Sequence, residues 1–132
     1  MDENVQNFPP VIDKLVVVGL GLIGGSLAAG LKAHGACGRV IGVAHRPETG
    51  RKALDLGLVD STVASLSELS GELTAGDLVF VAVPTLAVES VLEQARDNLG
   101  PEVTITDGAS VKGSVRDAAH RVWGEIPPQL VL

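Results

Sequence analysis

Lys14-Leu15-Val16-Val17-Val18-Gly19-Leu20-Gly21-Leu22-Ile23-Gly24-Gly25-Ser26-Leu27-Ala28 is the stretch that decides the fold. Its first part is a short aliphatic, β-branched run bounded by polar residues and glycine, the pattern of a buried parallel strand. Its second part is a G-x-G-x-x-G loop at Gly19, Gly21 and Gly24 that follows the strand at once and opens a helix. Each glycine then has a mechanical task. Gly19 permits the tight turn, Gly21 lets a pyrophosphate approach the backbone, and Gly24 lets the helix pack against the strand. The first helical turn, with Leu22 and Ile23, presents unpaired N–H groups and the positive end of the helix dipole to an anion. The competing reading is a glycine-rich turn that binds nothing; the strand before it and the helix after it favour the dinucleotide site.

Outward from this stretch, strands and helices alternate. The apolar pattern predicts a helix from Ile23 to His34, with Ile23, Leu27, Gly30 and Leu31 on one face and Gly35 closing it. A second strand is expected over Arg39–Val43, then a helix from Pro47 to about Leu56 ended by Gly57. Ser61–Val63 reads as a short strand, Leu66–Leu69 as one helical turn, and 71–76 as loop. Leu78–Val83 reads as a strand stopped by Pro84. A helix over Thr85–Asn98 follows, with Leu86, Val88, Val91, Leu92 and Ala95 on its apolar side. Val103–Thr106 is the next expected strand, Ser110–Trp123 the next helix, and Gln129–Leu132 the start of a sixth strand. The alternation predicts an α/β fold: a doubly wound, mostly parallel sheet of Rossmann type with helices on both faces and right-handed crossovers. Residues 1–13 are a lead-in and 14–132 one dinucleotide-binding domain; no repeat or linker divides the chain.

Composition narrows the function classes. The chain has 132 residues and a net charge of −6. An acidic chain is a poor partner for nucleic acid, which needs a basic face. No run approaches the ~18 apolar residues of a membrane span. The acidic start, Met1-Asp2-Glu3-Asn4, lacks a basic secretory or transit signal, so a cytoplasmic protein is expected. Cys37 is the single cysteine and has no His or Cys partner at ligand spacing; a buried or turn thiol is expected, and no metal site.

Three further positions carry the functional reading. Sites that prefer NAD place a carboxylate at the end of the second strand, on the ribose 2′-OH. Here that place holds Ala44, followed by His45 and Arg46, with Arg51 and Lys52 about one turn further on. A planar guanidinium suits a phosphate, so NADP is expected, with NAD also possible; the alternative for Arg46 is a solvated residue at a helix start. Val83-Pro84 stands where a fourth strand ends and would form a wall of the cofactor pocket. Asp107-Gly108-Ala109-Ser110-Val111-Lys112 stands at the end of the fifth strand. Asp107 and Ser110 could simply cap the next helix, with Lys112 an exposed first-turn residue, or they could face the cofactor and bind an anionic substrate.

The chain resembles the prephenate and arogenate dehydrogenases of tyrosine biosynthesis. The resemblance rests on Gly19–Ala28, on Val83-Pro84 and on Asp107–Val115, and covers nearly the whole chain from Lys14 onward. It implies a nicotinamide-dependent oxidative decarboxylation of a small-molecule substrate, prephenate or arogenate. It gives Ser110 the part of active-site serine and Ser110 with Lys112 the part of substrate contacts. Gly19, Gly21, Leu22, Ile23, Gly24, Ala44, His45, Arg46, Arg51, Val83, Pro84 and Asp107 would form the cofactor site, and Ala44-His45-Arg46 looks like the NADP-using branch. It also implies a general-base histidine in a Gly-His-Pro segment after the sixth strand, and a helical second domain that carries the homodimer interface. No Gly-His-Pro occurs in these 132 residues, and His34, His45 and His120 stand elsewhere. The chain is therefore expected to be the cofactor part of a longer enzyme. The alternatives are the first half of a β-hydroxyacid-dehydrogenase-type reductase, which the Ser-Val-Lys motif opposes, and a non-catalytic nucleotide-sensing module.

Overall fold

The computed structural model describes residues 11–19, 22–108 and 112–132. Among them the elements run β1 (Ile12–Val18), α1 (Leu22–Ala33), β2 (Cys37–Val43), α2 (Pro47–Asp55), β3 (Ser61–Val63), a 3₁₀ turn (Leu66–Leu69), β4 (Leu78–Val81), α3 (Thr85–Asn98), β5 (Thr104–Asp107), α4 (Lys112–Trp123) and β6 (Leu130–Val131). The strands form one six-stranded sheet in the order β3-β2-β1-β4-β5-β6, and every pairing is parallel. This is the doubly wound α/β architecture that the alternating sequence predicts.

Successive residues of a strand face opposite sides of the sheet, so the aliphatic runs feed two cores. Val16, Val18, Ile41, Val43, Val79, Val81 and Ile105 pack with Val88, Val91 and Leu92 of α3 and Val115 and Ala119 of α4. Leu15, Val17 and Val40 pack on the other face with Ala28 of α1 and Ala53 of α2. Cys37 belongs to this second core, and burial, ahead of the nearby Asp60 charge, pushes its thiol pKa up. It is the buried thiol expected.

Three expectations change. Leu86 is 99% exposed rather than part of the apolar side of α3. At about 100° per residue it stands on the opposite side of the helix from the Val88–Val91–Leu92–Ala95 stripe. Gly30 is exposed, with open space where a side chain would be; among the described positions of α1, Gly25 and Ala28 are buried. β4 ends at Val81, two residues before the expected stop. Ala82 N–H still donates to the Val18 carbonyl at 2.7 Å, but Pro84 has no N–H and forces the chain before it out of the ladder.

Asp77 ties the far end of the sheet together. It is 2% exposed and accepts from Lys14 N at 2.9 Å and Thr74 N at 2.7 Å, while Lys14 Nζ stands 3.2 Å from the same carboxylate. β1 and β4, the central pair, are thus locked at their N-terminal ends. The two strands stay paired as far as Val18 and Val81.

Candidate functional site

β1 and β4 lie side by side, yet the chain leaves β1 toward β2 and leaves β4 toward β5. The loops after the two strands therefore separate, and a crevice opens at the point where the winding reverses. In this chain it is a cleft of about 700 Å³, lined by Val18 and Gly19, by Val43–Arg46, by Ala82–Pro84, and by Thr49, Ala64, Ser65, Ala87, Ser90, Val91 and Gln94.

Gly19 stands at the floor of the cleft where three strand ends meet. Its φ is +94°, a conformation that residues with a side chain rarely adopt. A Cβ there would stand 2.4 Å from the Ala82 carbonyl oxygen, and its N–H donates to the Val43 carbonyl at 3.3 Å. Backbone geometry and lack of space both require glycine. Leu22, Ile23 and Gly24 form the first turn of α1, which carries no acidic residue, so its dipole stays available to an anion. Gly25 is buried and close-packed as well: a Cβ would touch Leu58 Cδ1 at 3.4 Å. Gly21 lies outside the described residues.

At the end of β2, Ala44 is half-buried, while His45 and Arg46 are exposed on the cleft. Arg46 is the N-cap of α2 with extended backbone (φ −96°, ψ 119°), and Pro47 is the first helical residue. Pro47 has no N–H, and the N–H groups of Thr49 and Gly50 turn inward onto the Arg46 carbonyl at 3.1 and 3.3 Å. The first turn of α2 therefore offers an anion little backbone hydrogen bonding. Arg46, His45 and Thr49 line this side of the cleft. Arg46 makes no ion pair among the described residues, and its exposure leaves it free to turn to a ligand. Arg51 and Lys52 are exposed on α2 but do not line the cleft. Five and six residues past Arg46, at about 100° each, they face away from it.

On the other side, Val83 and Pro84 form the expected wall. Pro84 caps α3 (φ −56°, ψ 151°), and its carbonyl accepts from Ala87 N at 2.8 Å. β5 pairs with β4 so that Asp107 sits opposite Val81. Asp107 is 7% exposed. Gly108 N donates to the Val81 carbonyl at 3.0 Å, and a Cβ on Gly108 would meet Phe80 Cζ at 2.8 Å, so the Asp107-Gly108 step is held tightly against β4. The Asp107–Lys112 motif therefore begins one strand away from the cleft wall. Ser110 lies outside the described residues, and Lys112 opens α4, whose first turn has no acidic residue.

The structure thus brings Gly19, Ala44, His45, Arg46, Val83 and Pro84 around one cleft, with Asp107 on the adjoining strand end, and leaves Arg51 outside. The sequence reading missed Thr49, Ala64, Ser65, Ala87, Ser90 and Gln94. The signal for the α3 group was present: Ala87, Ser90, Val91 and Gln94 recur at three- and four-residue spacing along one edge of the buried stripe.

A parallel sheet in this order, a glycine turn forced at the end of its first strand and a cleft at the reversal of winding define a dinucleotide-binding domain of Rossmann type. A sequence model of the family described as prephenate dehydrogenase, nucleotide-binding domain, matches residues 27–128, and the chain belongs to that family. The match begins after the glycine loop, so loop geometry and family membership are separate observations. The prephenate dehydrogenase of Bacillus subtilis (strain 168) is 35% identical over 83% of this chain and 29% of its own length. That of Lactococcus lactis subsp. cremoris (strain MG1363) is 32% identical over 83% of this chain and 30% of its own length. The chain thus spans under a third of the curated relatives it matches. Among solved structures, prephenate dehydrogenase from A. aeolicus in complex with hydroxyphenyl propionate and NAD+ superposes with a TM-score of 0.78 at 26% identity, covering 90% of this chain and 40% of the other. Synechocystis arogenate dehydrogenase superposes with a TM-score of 0.70 at 36% identity, covering 83% and 37%.

Proposed function

We propose that this chain is the cofactor-binding part of an oxidoreductase that oxidatively decarboxylates prephenate or arogenate in tyrosine biosynthesis. The observation that carries the proposal is the register of β4 and β5. It sets Asp107, where the Asp107–Lys112 motif begins, on the strand beside β4, whose end leads into the cleft wall. A bound nicotinamide supplies the hydride acceptor. The A. aeolicus relative, solved with NAD+, supports a nicotinamide cofactor in this cleft.

The chain's own residues divide the work. Gly19, Gly21 and the first turn of α1 receive the pyrophosphate. Val83 and Pro84 hold one side of the cofactor and keep water from it. Ser110 orients the substrate ring through its hydroxyl, and Lys112 pairs with a substrate carboxylate. Substrate oxidation also needs a base for the hydroxyl proton as hydride and carbon dioxide leave. His34 and His120 are exposed on α1's C-terminal side and on α4, and His45 belongs to the cofactor end of the cleft; none serves. The base is the histidine of a Gly-His-Pro segment in a further part of the enzyme, whose helical second domain forms a homodimer in the cytoplasm.

The cofactor reading is NADP in preference to NAD. Ala44 cannot accept hydrogen bonds from a ribose 2′-OH through its side chain, and Arg46, His45 and Thr49 can contact a 2′-phosphate. One charge-assisted contact contributes about 1.5–3 kcal/mol, or roughly one to two decades of preference. The experiment on activity follows nicotinamide reduction with prephenate and with arogenate. This 132-residue chain alone binds cofactor without steady-state turnover, and the chain joined to a Gly-His-Pro-bearing second domain turns over. Turnover by the chain alone, or by neither form, contradicts the proposal.

A further inference from the structure

A second groove, of about 620 Å³, shares no lining residue with the cleft. It lies beside the β3–β4 crossover. The other crossovers carry helices of 9–14 residues, whereas this one carries a 3₁₀ turn of four. The turn and the residues after it supply one wall, with Glu68 and Glu72, and the strands supply the other, with Lys14 and Arg39. Ile41, Leu69 and Leu73, all buried, line the groove between them. Two of the four charges are already committed. Lys14 Nζ stands 3.2 Å from the Asp77 carboxylate, and the Glu68 carboxylate accepts from the Ala64 and Ser65 N–H groups at 2.6 and 3.2 Å. The other two are not. Among the described residues the exposed Arg39 donates only to the Ser61 hydroxyl, at 3.2 Å, while Asp60 nearby is held by Lys32 at 2.8 Å. The exposed Glu72 carboxylate has no partner among the described residues. A cation and an anion thus line one groove, on opposite walls, without pairing with each other.

We infer that this groove binds a free α-amino acid with an aliphatic side chain. Its carboxylate meets the Arg39 guanidinium, a planar fork that suits two carboxylate oxygens. Its ammonium meets the Glu72 carboxylate, and its side chain lies on Ile41, Leu69 and Leu73. Charge decides against the other ligand classes. An anion without a positive group meets Glu68 and Glu72, and a cation without a negative group meets Arg39 and Lys14, so each is opposed by like charge. An uncharged apolar molecule covers Arg39 and Glu72 and leaves both unpaired, which costs free energy. Only a ligand with both signs of charge and an apolar part satisfies the walls and the floor together.

The test is an NMR titration of the full chain with L-leucine and its two blocked forms. N-acetyl-leucine lacks the ammonium, and leucinamide lacks the carboxylate. Arg39→Gln and Glu72→Gln each remove one charge at an exposed position, and thermal melts confirm that both variants fold. Leucine is expected to shift the amides of Ile41, Ser61 and Leu73 along a saturable curve. Contacts between exposed charges are screened, so each blocked form should bind wild type about fivefold more weakly than leucine rather than by decades. Each variant should weaken leucine by a similar factor. The preference for leucine over N-acetyl-leucine should vanish in Glu72→Gln, and the preference over leucinamide should vanish in Arg39→Gln. Leucine that does not saturate, blocked forms that bind wild type as tightly, or variants that keep both preferences overturn the inference. Shifts confined to the cleft residues Gly19 and Arg46 overturn it as well. Cofactor titrations involve separate residues, so this inference and the cofactor reading can fail independently.

Discussion

Replacing Gly19 with alanine tests the geometry on which the cofactor loop depends. Two costs act together. At φ +94° an L-residue is strained by about 1–3 kcal/mol. Its Cβ would also stand 2.4 Å from the Ala82 carbonyl oxygen, 1.0 Å inside the 3.4 Å at which ordinary contact begins. That oxygen cannot simply retreat, because the Ala82 N–H is bonded to the Val18 carbonyl at 2.7 Å, the last link between β1 and β4. Relieving the clash stretches or breaks this link, at a further cost of about 1–3 kcal/mol. The sum, roughly 2–6 kcal/mol, lowers the melting midpoint by about 6–25 °C for a domain of this size. The same movement shifts the start of α1, so dinucleotide affinity falls as well. Gly30→Ala is the internal control. Gly30 is helical and exposed, and nothing lies within 4 Å of the place its Cβ would take, so alanine is neutral or stabilising by up to about 1 kcal/mol. Circular-dichroism melts and calorimetric titration of both variants decide the matter. Gly19→Ala melting within ~2 °C of wild type with unchanged affinity refutes the reasoning.

Other expectations follow from particular contacts. Asp77→Ala leaves the Lys14 and Thr74 N–H groups and the Lys14 ammonium without their acceptor. It should cost about 2–4 kcal/mol, read as a lower urea midpoint. Asp60 gives an acid limb to the stability profile: the Lys32 ammonium that donates to it, then the Val40 N–H, hold its carboxyl below the usual carboxylate range. A depressed folded-state pKa means stability that is fully present above the ordinary carboxylate pKa and lost as pH falls through the folded value. Urea midpoints of wild type and Asp60→Asn should therefore differ near neutrality and converge in acid, and a constant difference across that range contradicts the assignment. Arg46→Ala should weaken NADP binding by roughly one to two decades while leaving NAD binding nearly unchanged. Equal losses for both cofactors would count against a 2′-phosphate contact.

The sequence displayed most of the frame because its signals are local. Pro84 and the Val88–Val91–Leu92–Ala95 stripe fix α3 at the observed Thr85–Asn98, and Gly35, Gly57 and Gly124, all at positive φ, end helices where expected. Leu86 was misplaced because an apolar residue near a stripe need not lie on it. The end of β4 was set by a ladder bond to Val18, which only pairing reveals. The Asp77 lock was hidden for the same reason: a lone aspartate before a strand looks like a turn residue until Lys14, 63 positions away, is brought to it. In the site, Gly19, Ala44, Arg46 and Pro84 were legible because their chemistry is tied to strand ends. Arg51 was included by charge alone, and helical phase turns it away from the cleft. Ser90 and Gln94 were missed because a polar residue beside an apolar stripe looks like ordinary helix surface until the cleft is seen in front of it.

The proposed function stands or falls on whether the cleft between the ends of β1 and β4 holds a nicotinamide dinucleotide whose ribose end meets Arg46. Its most direct measurement is a calorimetric titration of this chain with NADP+ and with NAD+ under the same conditions. Saturable one-to-one binding of NADP+ is expected, with NAD+ weaker by about a decade or more. Absence of saturable binding by either dinucleotide contradicts it, and tighter binding of NAD+ contradicts the assignment of Arg46 to a 2′-phosphate.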